Sequence, residues 1–374
     1  MRTIIINSSS PINGEGHWNM RKTLRLRLQG LLIVILSSIL GACGGGEPSE
    51  SGRASEASQA GGTPEPVVVY SARAEQLIKP IFDAYTAETG VPVRYTTDSE
   101  QPLIQKLLAE GETSPADLLM TVDAGNLWYA AERDTLRPTY SDVLEANIPE
   151  HLRDPENRWF ALSVRARTIV YDTRDVNPSE LSDYRGLADE KWRGRLCLRT
   201  SEKVYNQSLV AMLIADHGEE QTERTVRGWV DNLATDVFSN DTSLIEAIAA
   251  GQCDVGIVNT YYFGRLQKEN PDIPVAIFWP PAETGGVHVN ISGAGVTRHA
   301  KNPEGAVALL EWMSAETAQK LLGGENMEYP ANPDVEPHPL VAAWGTFGAN
   351  PMNVAKAGEY QADAVRLMDR AGYR

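Results

Sequence analysis

Short apolar runs alternate with amphipathic stretches from residue 67 onward. Residues 67–70 form a β-branched apolar run, and residues 77–85 place apolar side chains at helical spacing. Gly90 ends that helical pattern, and residues 91–95 form a second apolar run. The order recurs, with a predicted helix at 103–108, a strand at 116–121 and a helix at 126–133. Alternating strands and helices predict an α/β fold with a largely parallel sheet.

Two long extended segments interrupt this alternation. Residues 159–171 and 287–296 are β-rich and show no helical pattern, so we interpret them as strands that cross from one lobe to another and back. A second α/β block lies between them. Its predicted elements are a strand at 192–198, helices at 205–215 and 244–250, and a strand at 254–259. Further helices are predicted at 303–322 and 358–371.

This pattern predicts two α/β lobes, each with a central mixed sheet flanked by helices. We assign residues 67–166 and 292–340 to the N-terminal lobe, and residues 167–291 and 341–374 to the C-terminal lobe. Lobes joined by crossing strands enclose a cleft, and ligands of open α/β sheets bind at the carboxyl ends of strands.

A pair of adjacent tyrosines follows one such predicted strand. Asn259 and Thr260 end the strand and can cap a helix that begins at Tyr261 and Tyr262. The free N–H groups and the dipole of a helix N-terminus favour negative charge, which suits a phenolate or a bound anion. The alternative is that both tyrosines only pack against the core.

Residues 1–42 have the pattern of an export signal. Four basic residues between positions 21 and 27 precede an apolar run at 31–40, which is too short for an ordinary membrane-spanning helix. The junction at Cys43 resembles the lipobox of bacterial lipoproteins, which implies that Cys43 carries a lipid anchor and that Met20 is the true start. A plain signal peptide is the alternative. Residues 44–66 are expected to form a flexible tether.

The formal net charge of the whole chain is −16. Residues 1–42 contain five basic residues and one acidic residue, so the exported part carries about −20. This charge argues against nucleic acid or an anionic lipid surface as a partner. Cys197 and Cys253 are the cysteines other than Cys43, and in an oxidising compartment they are expected either to form a disulfide or to remain buried thiols.

Several motifs of the chain resemble those of ferric-iron-binding solute-binding proteins of bacterial iron(III) ABC importers. The matching motifs are Tyr70-Ser71-Ala72-Arg73, Ser114-Pro115-Ala116-Asp117, Thr121-Val122-Asp123-Ala124-Gly125, Val204-Tyr205-Asn206-Gln207-Ser208-Leu209, Asn240-Asp241-Thr242 and Asn259-Thr260-Tyr261-Tyr262-Phe263-Gly264-Arg265. The resemblance extends over residues 67–374 and implies a two-lobed type II periplasmic-binding-protein fold.

By position, the resemblance implies that Tyr205, Tyr261 and Tyr262 bind Fe(III) as phenolates. A hard, highly charged cation prefers oxygen donors and can deprotonate its ligands, and three phenolates balance the charge of Fe(III). Arg73 matches an arginine that holds an anion such as carbonate in some relatives, and Arg165 is a second candidate because a guanidinium group pairs well with a planar oxyanion. The alternative for either arginine is a salt bridge.

The chain departs from the family at two positions. Many relatives have histidine at the position of Ala74, some add a tyrosine after it, and others have glutamate at the position of Val122. We therefore expect three tyrosines, with an anion or water completing the iron site, and Glu75 as a possible weak extra ligand. Asn206 and Asn259 are expected to be turn or cap residues that also bind the anion or support the tyrosines.

The resemblance implies a monomeric lipoprotein in the periplasm or on the outer face of the cytoplasmic membrane. It would bind Fe(III) and deliver it to an inner-membrane ABC permease with its ATPase, and its only contact with the membrane would be the lipid. An alternative on the same fold is binding of a small organic solute such as a polyamine, thiamine or a phosphonate. An exported enzyme is a third class, but no G-x-S-x-G, H-E-x-x-H or phosphate-loop motif is present.

Overall fold

The structure is a computed structural model that describes residues 64–374. The predicted signal segment, Cys43 and the tether up to residue 63 lie outside the described residues. Within residues 64–374, no helix is both long and apolar enough to cross a lipid bilayer.

The first half of this part folds as alternating strands and helices. In chain order the elements are β1 (Val67–Ser71), α1 (Glu75–Thr89), β2 (Val93–Thr97), α2 (Glu100–Glu110), β3 (Leu118–Thr121), α3 (Ala124–Ala131) and α4 (Asp142–Asn147). Gly90 ends α1 in the left-handed conformation with φ 75°, and its N–H donates to the Thr86 carbonyl. Asp123 begins α3, because its carboxylate accepts a hydrogen bond from the Gly125 N–H.

The second half begins with a long strand and ends in helices. Its elements are β4 (Phe160–Asp172), β5 (Leu196–Cys197), α5 (Val204–His217), α6 (Glu219–Asp231), α7 (Asp241–Ala249), β6 (Val255–Asn259), α8 (Thr260–Glu269), β7 (Val275–Phe278), β8 (His288–Val296), α9 (Pro303–Ser314), α10 (Glu316–Asn326), β9 (Tyr329–Pro330), α11 (Pro339–Ala342), α12 (Lys356–Glu359) and α13 (Gln361–Ala371).

The strands form one mixed sheet in the order β2-β1-β3-β8-β4-β6-β5, and β7 and β9 also pair with β4. β1 runs parallel to β2 and β3, and β5 runs parallel to β6. The two long strands β4 and β8 are antiparallel to each other, with Phe160 opposite Ala294 and Arg167 opposite His288. These two strands are the predicted crossings, and they connect the parallel strands on either side.

Separate hydrophobic cores lie on the two sides of this crossing. Val164 of β4 packs in a core with β1, α1 and α9, which defines the N-terminal lobe. Ile169, further along the same strand, packs in a second core with Leu209 of α5, and a smaller cluster around Ile248 extends the C-terminal lobe. Arg165 and Arg167 therefore lie where β4 passes from one lobe to the other.

Two predicted elements differ from the structure. The strand predicted at 192–198 is reduced to β5, because Glu190–Trp192 form a 3-10 turn and Gly194 has a φ of 70°. The helix predicted at 303–322 is divided into α9 and α10, because Ala315 is extended with φ −84° and ψ 164°. Apolar residues keep their helical spacing across Ala315, so the pattern does not show the break.

Cys197 and Cys253 are joined by a disulfide bond with a sulfur–sulfur distance of 2.09 Å. It connects β5 to the turn before β6 and closes a loop with a sequence separation of 56 residues. The bond ties together the two parallel strands that lead toward the predicted tyrosine ligands.

Candidate functional site

A cavity of about 490 Å³ opens between the two lobes. The segments that follow β1, β2 and β3 form one wall, and the starts of α5 and α8 form the other. The cavity therefore lies at carboxyl ends of strands, where α/β proteins bind ligands. Its lining residues are Ala72, Arg73, Ala74, Leu77, Thr97, Asp98, Ser99, Glu100, Val122, Arg165, Lys203, Tyr205, Tyr261, Tyr262, Arg265 and Glu328.

All three tyrosines singled out from the sequence line this cavity. Tyr205 lies in the first turn of α5, and Tyr261 and Tyr262 lie in the first turn of α8, directly after β6 ends at Asn259. The ring centroids of Tyr261 and Tyr262 are 4.3 Å apart. Tyr261 is 5% exposed, whereas Tyr205 and Tyr262 are half-buried. The fold thus brings together three phenols from two helix N-termini.

These phenols affect one another electrostatically. Burial raises the pKa of Tyr261 well above its ordinary value, the neighbouring phenols of Tyr205 and Tyr262 raise it further, and Arg165 acts in the opposite direction. Three phenolates this close repel one another unless a cation lies between them. A trivalent metal ion supplies that charge and can displace the phenol protons.

Basic side chains surround the three rings. The Arg165, Arg199 and Lys203 charges lie 5.4, 5.4 and 5.3 Å from the Tyr205 ring centroid. Arg199 also lies 5.9 Å from the centroid of Tyr262. On the other side, Arg265 lies 5.2 Å from the Tyr261 ring and 5.8 Å from the Tyr262 ring. These cations stabilise negative charge in the cavity, whether it belongs to a phenolate or to a bound anion.

Arg73 forms the salt bridge that was the alternative to anion binding. Its Nη1 and Nη2 atoms each donate to the Glu328 carboxylate at 3.2 Å, and Nη1 also donates to Ser292 Oγ at 2.5 Å. Ser163 donates to the same carboxylate. Burial acts to raise the pKa of Glu328, but the charges of Arg73 and Arg165 outweigh it and hold the pKa below its ordinary value. Glu328 was not found from the sequence.

Both arginines singled out from the sequence nevertheless keep a free donor. Arg73 is 4% exposed and Arg165 is 3% exposed, and the Nε–H of each has no hydrogen-bond partner among residues 64–374. Arg165 Nη2 donates to the Ile291 carbonyl. These two N–H groups are shielded from solvent, so an unsatisfied donor costs free energy at each of them.

Asn206 and Asn259 lie behind the tyrosines and do not line the cavity. The Asn206 side chain accepts from Arg167 and donates to the carbonyls of Arg199 and Thr200. Asn259 accepts from Arg167 and donates to Tyr261 Oη at 3.4 Å. The expected side-chain cap of α8 by Asn259 does not form. The structure therefore places neither asparagine where it could contact an anion in the cavity.

Glu75 does not reach the cavity, which corrects its assignment as a possible extra ligand. It is exposed in the first turn of α1, and its carboxylate accepts a hydrogen bond from Tyr95 Oη at 3.1 Å. Ala74 and Val122, the two positions at which the chain departs from the family, do line the cavity. The acidic side chains that the N-terminal lobe presents there are Asp98, Glu100 and Glu328.

Among residues 64–374, no cluster of three or more His, Cys, Asp and Glu side chains has the arrangement of a metal site. The grouping of phenols is a different type of ligand set. Arg199, Arg167 and Glu328 surround it, and sequence reasoning missed all three. Their sequence distances from Tyr261 are large, and none belongs to a motif whose local spacing indicates the contact.

Comparison with known proteins agrees with this geometry. Residues 81–349 match the model of a family described as bacterial extracellular solute-binding protein. Iron uptake protein A1 of Synechocystis is 40% identical to this chain over 348 residues, which cover 91% of this chain and 95% of that protein.

Solved structures show the same likeness. A Trichodesmium FutA structure in complex with iron and citrate ligands has a TM-score of 0.79 and 41% identity, covering 83% of this chain and 100% of that chain. Apo FutA2 from Synechocystis has a TM-score of 0.78 and 40% identity, with the same coverage of 83% and 100%. The predicted two-lobed α/β binding-protein fold is therefore confirmed. The names of these relatives describe uptake and binding proteins and not enzymes.

Proposed function

Since the chain belongs to the bacterial extracellular solute-binding protein family, we propose that it captures ferric iron outside the cytoplasm for uptake. The phenolates of Tyr205, Tyr261 and Tyr262 would be the protein ligands. The observation that carries the proposal is the convergence of these three phenols at one interlobe cavity. Relatives named for iron uptake and solved with iron and citrate support it.

The charge of this ligand set suits Fe(III). Each phenolate brings one negative charge and a hard oxygen donor, so three of them neutralise a trivalent ion. Softer divalent ions gain less from phenolate oxygen and leave a net negative charge in a buried place. The position at two helix N-termini adds favourable dipoles for the phenolates.

We also propose that an anion such as carbonate, or a carboxylate of a chelator such as citrate, completes the coordination. The position of Arg73 and Arg165 in the cavity lining supports this, because a guanidinium group pairs well with a planar oxyanion. Ala74 and Val122 contribute no ligand atom from the N-terminal lobe, which leaves coordination positions for a non-protein ligand. Closure of the lobes about β4 and β8 would then exclude water from the metal.

The remaining parts of the proposal concern the cellular setting. Cys43 would hold the protein to the membrane through a lipid, and residues 44–66 would let the folded part move freely on that tether. The partner that receives the iron would be an inner-membrane ABC permease with its ATPase. The protein would act as a monomer in the periplasm or at the outer face of the cytoplasmic membrane.

Loading of the metal-free protein with ferric citrate, with and without bicarbonate, tests the iron site. We expect a visible phenolate-to-iron charge-transfer absorption that weakens in Tyr205→Phe and in Tyr261→Phe, because each variant lacks one of the three phenolates. Tyr140→Phe is the matched control, because Tyr140 is 79% exposed and does not line the cavity. A protein that stays colourless under both conditions would refute the proposal.

A further inference from the structure

One buried arginine connects the chain segments that carry the three tyrosines. Arg167 lies on β4, two residues after Arg165, and is 1% exposed. Its Nε and Nη2 atoms donate to Asn206 Oδ1 at 3.0 and 2.6 Å, and Nη2 also donates to the Ile257 carbonyl at 3.1 Å. Nη1 donates to Asp241 Oδ2 at 3.0 Å and to Asn259 Oδ1 at 3.2 Å. The guanidinium group is thus in contact with α5, α7 and β6 at once.

Two partners of Arg167, Asn206 and Asn259, lie beside proposed ligands. Asn206 directly follows Tyr205 in the first turn of α5. Asn259 is the last residue of β6, and its Nδ2 donates to Tyr261 Oη at 3.4 Å. Any displacement of Arg167 would therefore be transmitted to both tyrosine-bearing helices through one or two hydrogen bonds.

Asp241 completes the network from the N-terminus of α7. Its Oδ2 atom accepts from Arg167 and from the Asn259 backbone N–H at 2.9 Å. Its Oδ1 atom lies 3.5 Å from Arg199 Nη1, and Arg199 lies between the rings of Tyr205 and Tyr262. The carboxylate therefore links Arg167, through Arg199, to Tyr262, which Arg167 does not contact directly.

A buried ion pair is expensive to desolvate and often adds little net stability. It does favour a single arrangement of its partners, because any other arrangement leaves a buried charge unpaired. Three of the five hydrogen bonds of Arg167 go to Asn206 and Asn259, which lie beside proposed ligands, and the other two go to Asp241 and the Ile257 carbonyl. A role in stability alone does not require this concentration of partners at the iron site.

We propose that Arg167 is a positioning residue that sets the relative places of the Tyr205 and Tyr261 oxygen atoms. The inference rests on the proposed iron function and deepens it. An arginine is needed because its planar fork presents donors in several fixed directions, whereas a lysine ammonium is a single point charge on a flexible stem. Lysine keeps the charge that pairs with Asp241 but cannot hold α5 and β6 together.

Arg167→Lys in the full chain tests this inference. We expect about 10- to 100-fold weaker Fe(III) binding in competition with citrate, the usual effect of losing a group that orients metal ligands. The charge-transfer absorption per bound iron should also shift or weaken, because the phenolate geometry changes. Arg174→Lys is the matched control. Arg174 also binds an aspartate, Asp172 at the end of β4, and the Ala249 carbonyl, but neither partner lies beside a proposed iron ligand.

Asn259→Ala is a second variant, which removes only the link from Arg167 to Tyr261 and keeps the ion pair with Asp241. The charge-transfer absorption of Asn259→Ala should shift or weaken as predicted for Arg167→Lys. This variant therefore tests the inference even if Arg167→Lys does not fold. Folding of each variant is checked by circular dichroism and by the unfolding midpoint. Wild-type affinity and absorption in folded Arg167→Lys, or in Asn259→Ala when Arg167→Lys does not fold, would overturn the inference. Failure of the unmodified protein to bind iron would instead refute the proposed function.

Discussion

Ala74 and Val122 line the cavity at the two positions where the family resemblance implied metal-binding side chains in relatives. Neither side chain has an atom that can bind a metal, and Glu75 is turned toward Tyr95. In the proposed site, the tyrosines of one lobe would therefore carry the protein's share of the coordination. The arginines at the cavity make up for the missing ligands only if an anion is bound with the metal.

Restoring the absent ligand should strengthen iron binding. In Ala74→His, an imidazole nitrogen would enter the cavity from the N-terminus of α1 and occupy a position otherwise left to water or an anion. We expect affinity to rise about tenfold, equivalent to ~1.4 kcal/mol, and the dependence on added bicarbonate to fall. Competition titration with citrate measures both. Leu77→His, which places the same group elsewhere in the cavity lining, should not reproduce the effect.

His288, which is not a proposed ligand, makes the free energy of unfolding depend on pH. It is 3% exposed, and neither ring nitrogen has a partner among residues 64–374. Burial, together with the charges of Arg167 and Arg165, lowers its pKa to about 3. The pKa of this histidine in the unfolded chain is near 6.5. Its contribution to the free energy of unfolding is therefore complete above pH 6.5 and is lost progressively as the pH falls toward 3.

Between pH 7 and pH 5, this histidine should remove about 2 kcal/mol from the free energy of unfolding of the metal-free protein. His288→Leu fills a similar volume without a titratable group and should lack this part of the decline. Urea unfolding at both pH values gives the comparison. An equal decline in the two proteins would show that the pH dependence comes from other groups.

At the scale of elements, the strand–helix alternation was predictable and several boundaries were not. β1, α1 and β2 follow from apolar spacing and from Gly90, because local sterics decide them. The break at Ala315 and the shortening of β5 depend on packing that residues elsewhere impose. Arg167 escaped detection for a related reason: its partners come from α5, α7 and β6, and their convergence exists only after folding.

The disulfide stabilises the short strand β5, which has only two residues to hold it. Cys197→Ser combined with Cys253→Ser should lower the free energy of unfolding by about 4 kcal/mol, the chain-entropy value for a loop of this length. Denaturant unfolding measures the change. Adding reductant should bring the unmodified protein to the same level and leave the double variant unaffected, and a lasting difference would contradict this account.

At the scale of the whole molecule, the two lobes are joined by more than the crossing strands. Asp123 of the N-terminal lobe accepts hydrogen bonds from Asn290 on β8 at 2.6 Å and from Ser208 on α5 at 2.8 Å. Ser208 lies one turn after Tyr205. This contact therefore ties the tyrosine-bearing helix of one lobe to the start of α3 in the other.

Ser208→Ala removes that interlobe tie and leaves the rest of the Asp123 contacts in place. We expect the free energy of unfolding to fall by about 2 kcal/mol, typical of a buried hydrogen bond to a charged group. Small-angle scattering should show a larger radius of gyration for the metal-free protein, because the lobes separate more freely. Ser179→Ala, at a surface hydroxyl that bonds only to Asn177, should change neither quantity.

Family membership confirms the resemblance seen in the tyrosine motifs, and with it the expectation of a binding protein and not an enzyme. The motifs were sufficient to identify the family because they lie at strand ends, where residues that belong to the fold also line the cavity. They contain only part of the charge environment of the cavity, Arg73 and Arg265. Arg199 and Glu328, which are also close to the site, belong to none of these motifs and reach it through tertiary contacts.

The bond between Cys197 and Cys253 also makes the rigidity of the tyrosine-bearing segments depend on the redox state of the compartment. The loop that it closes contains Tyr205, and Cys253 lies just before the strand that leads to Tyr261. Thiols stay reduced in most bacterial cytoplasms, so the covalent tie between the two tyrosine-bearing segments forms after export. If the protein binds iron as proposed, a newly made copy still inside the cell would therefore bind it more weakly than the oxidised protein outside.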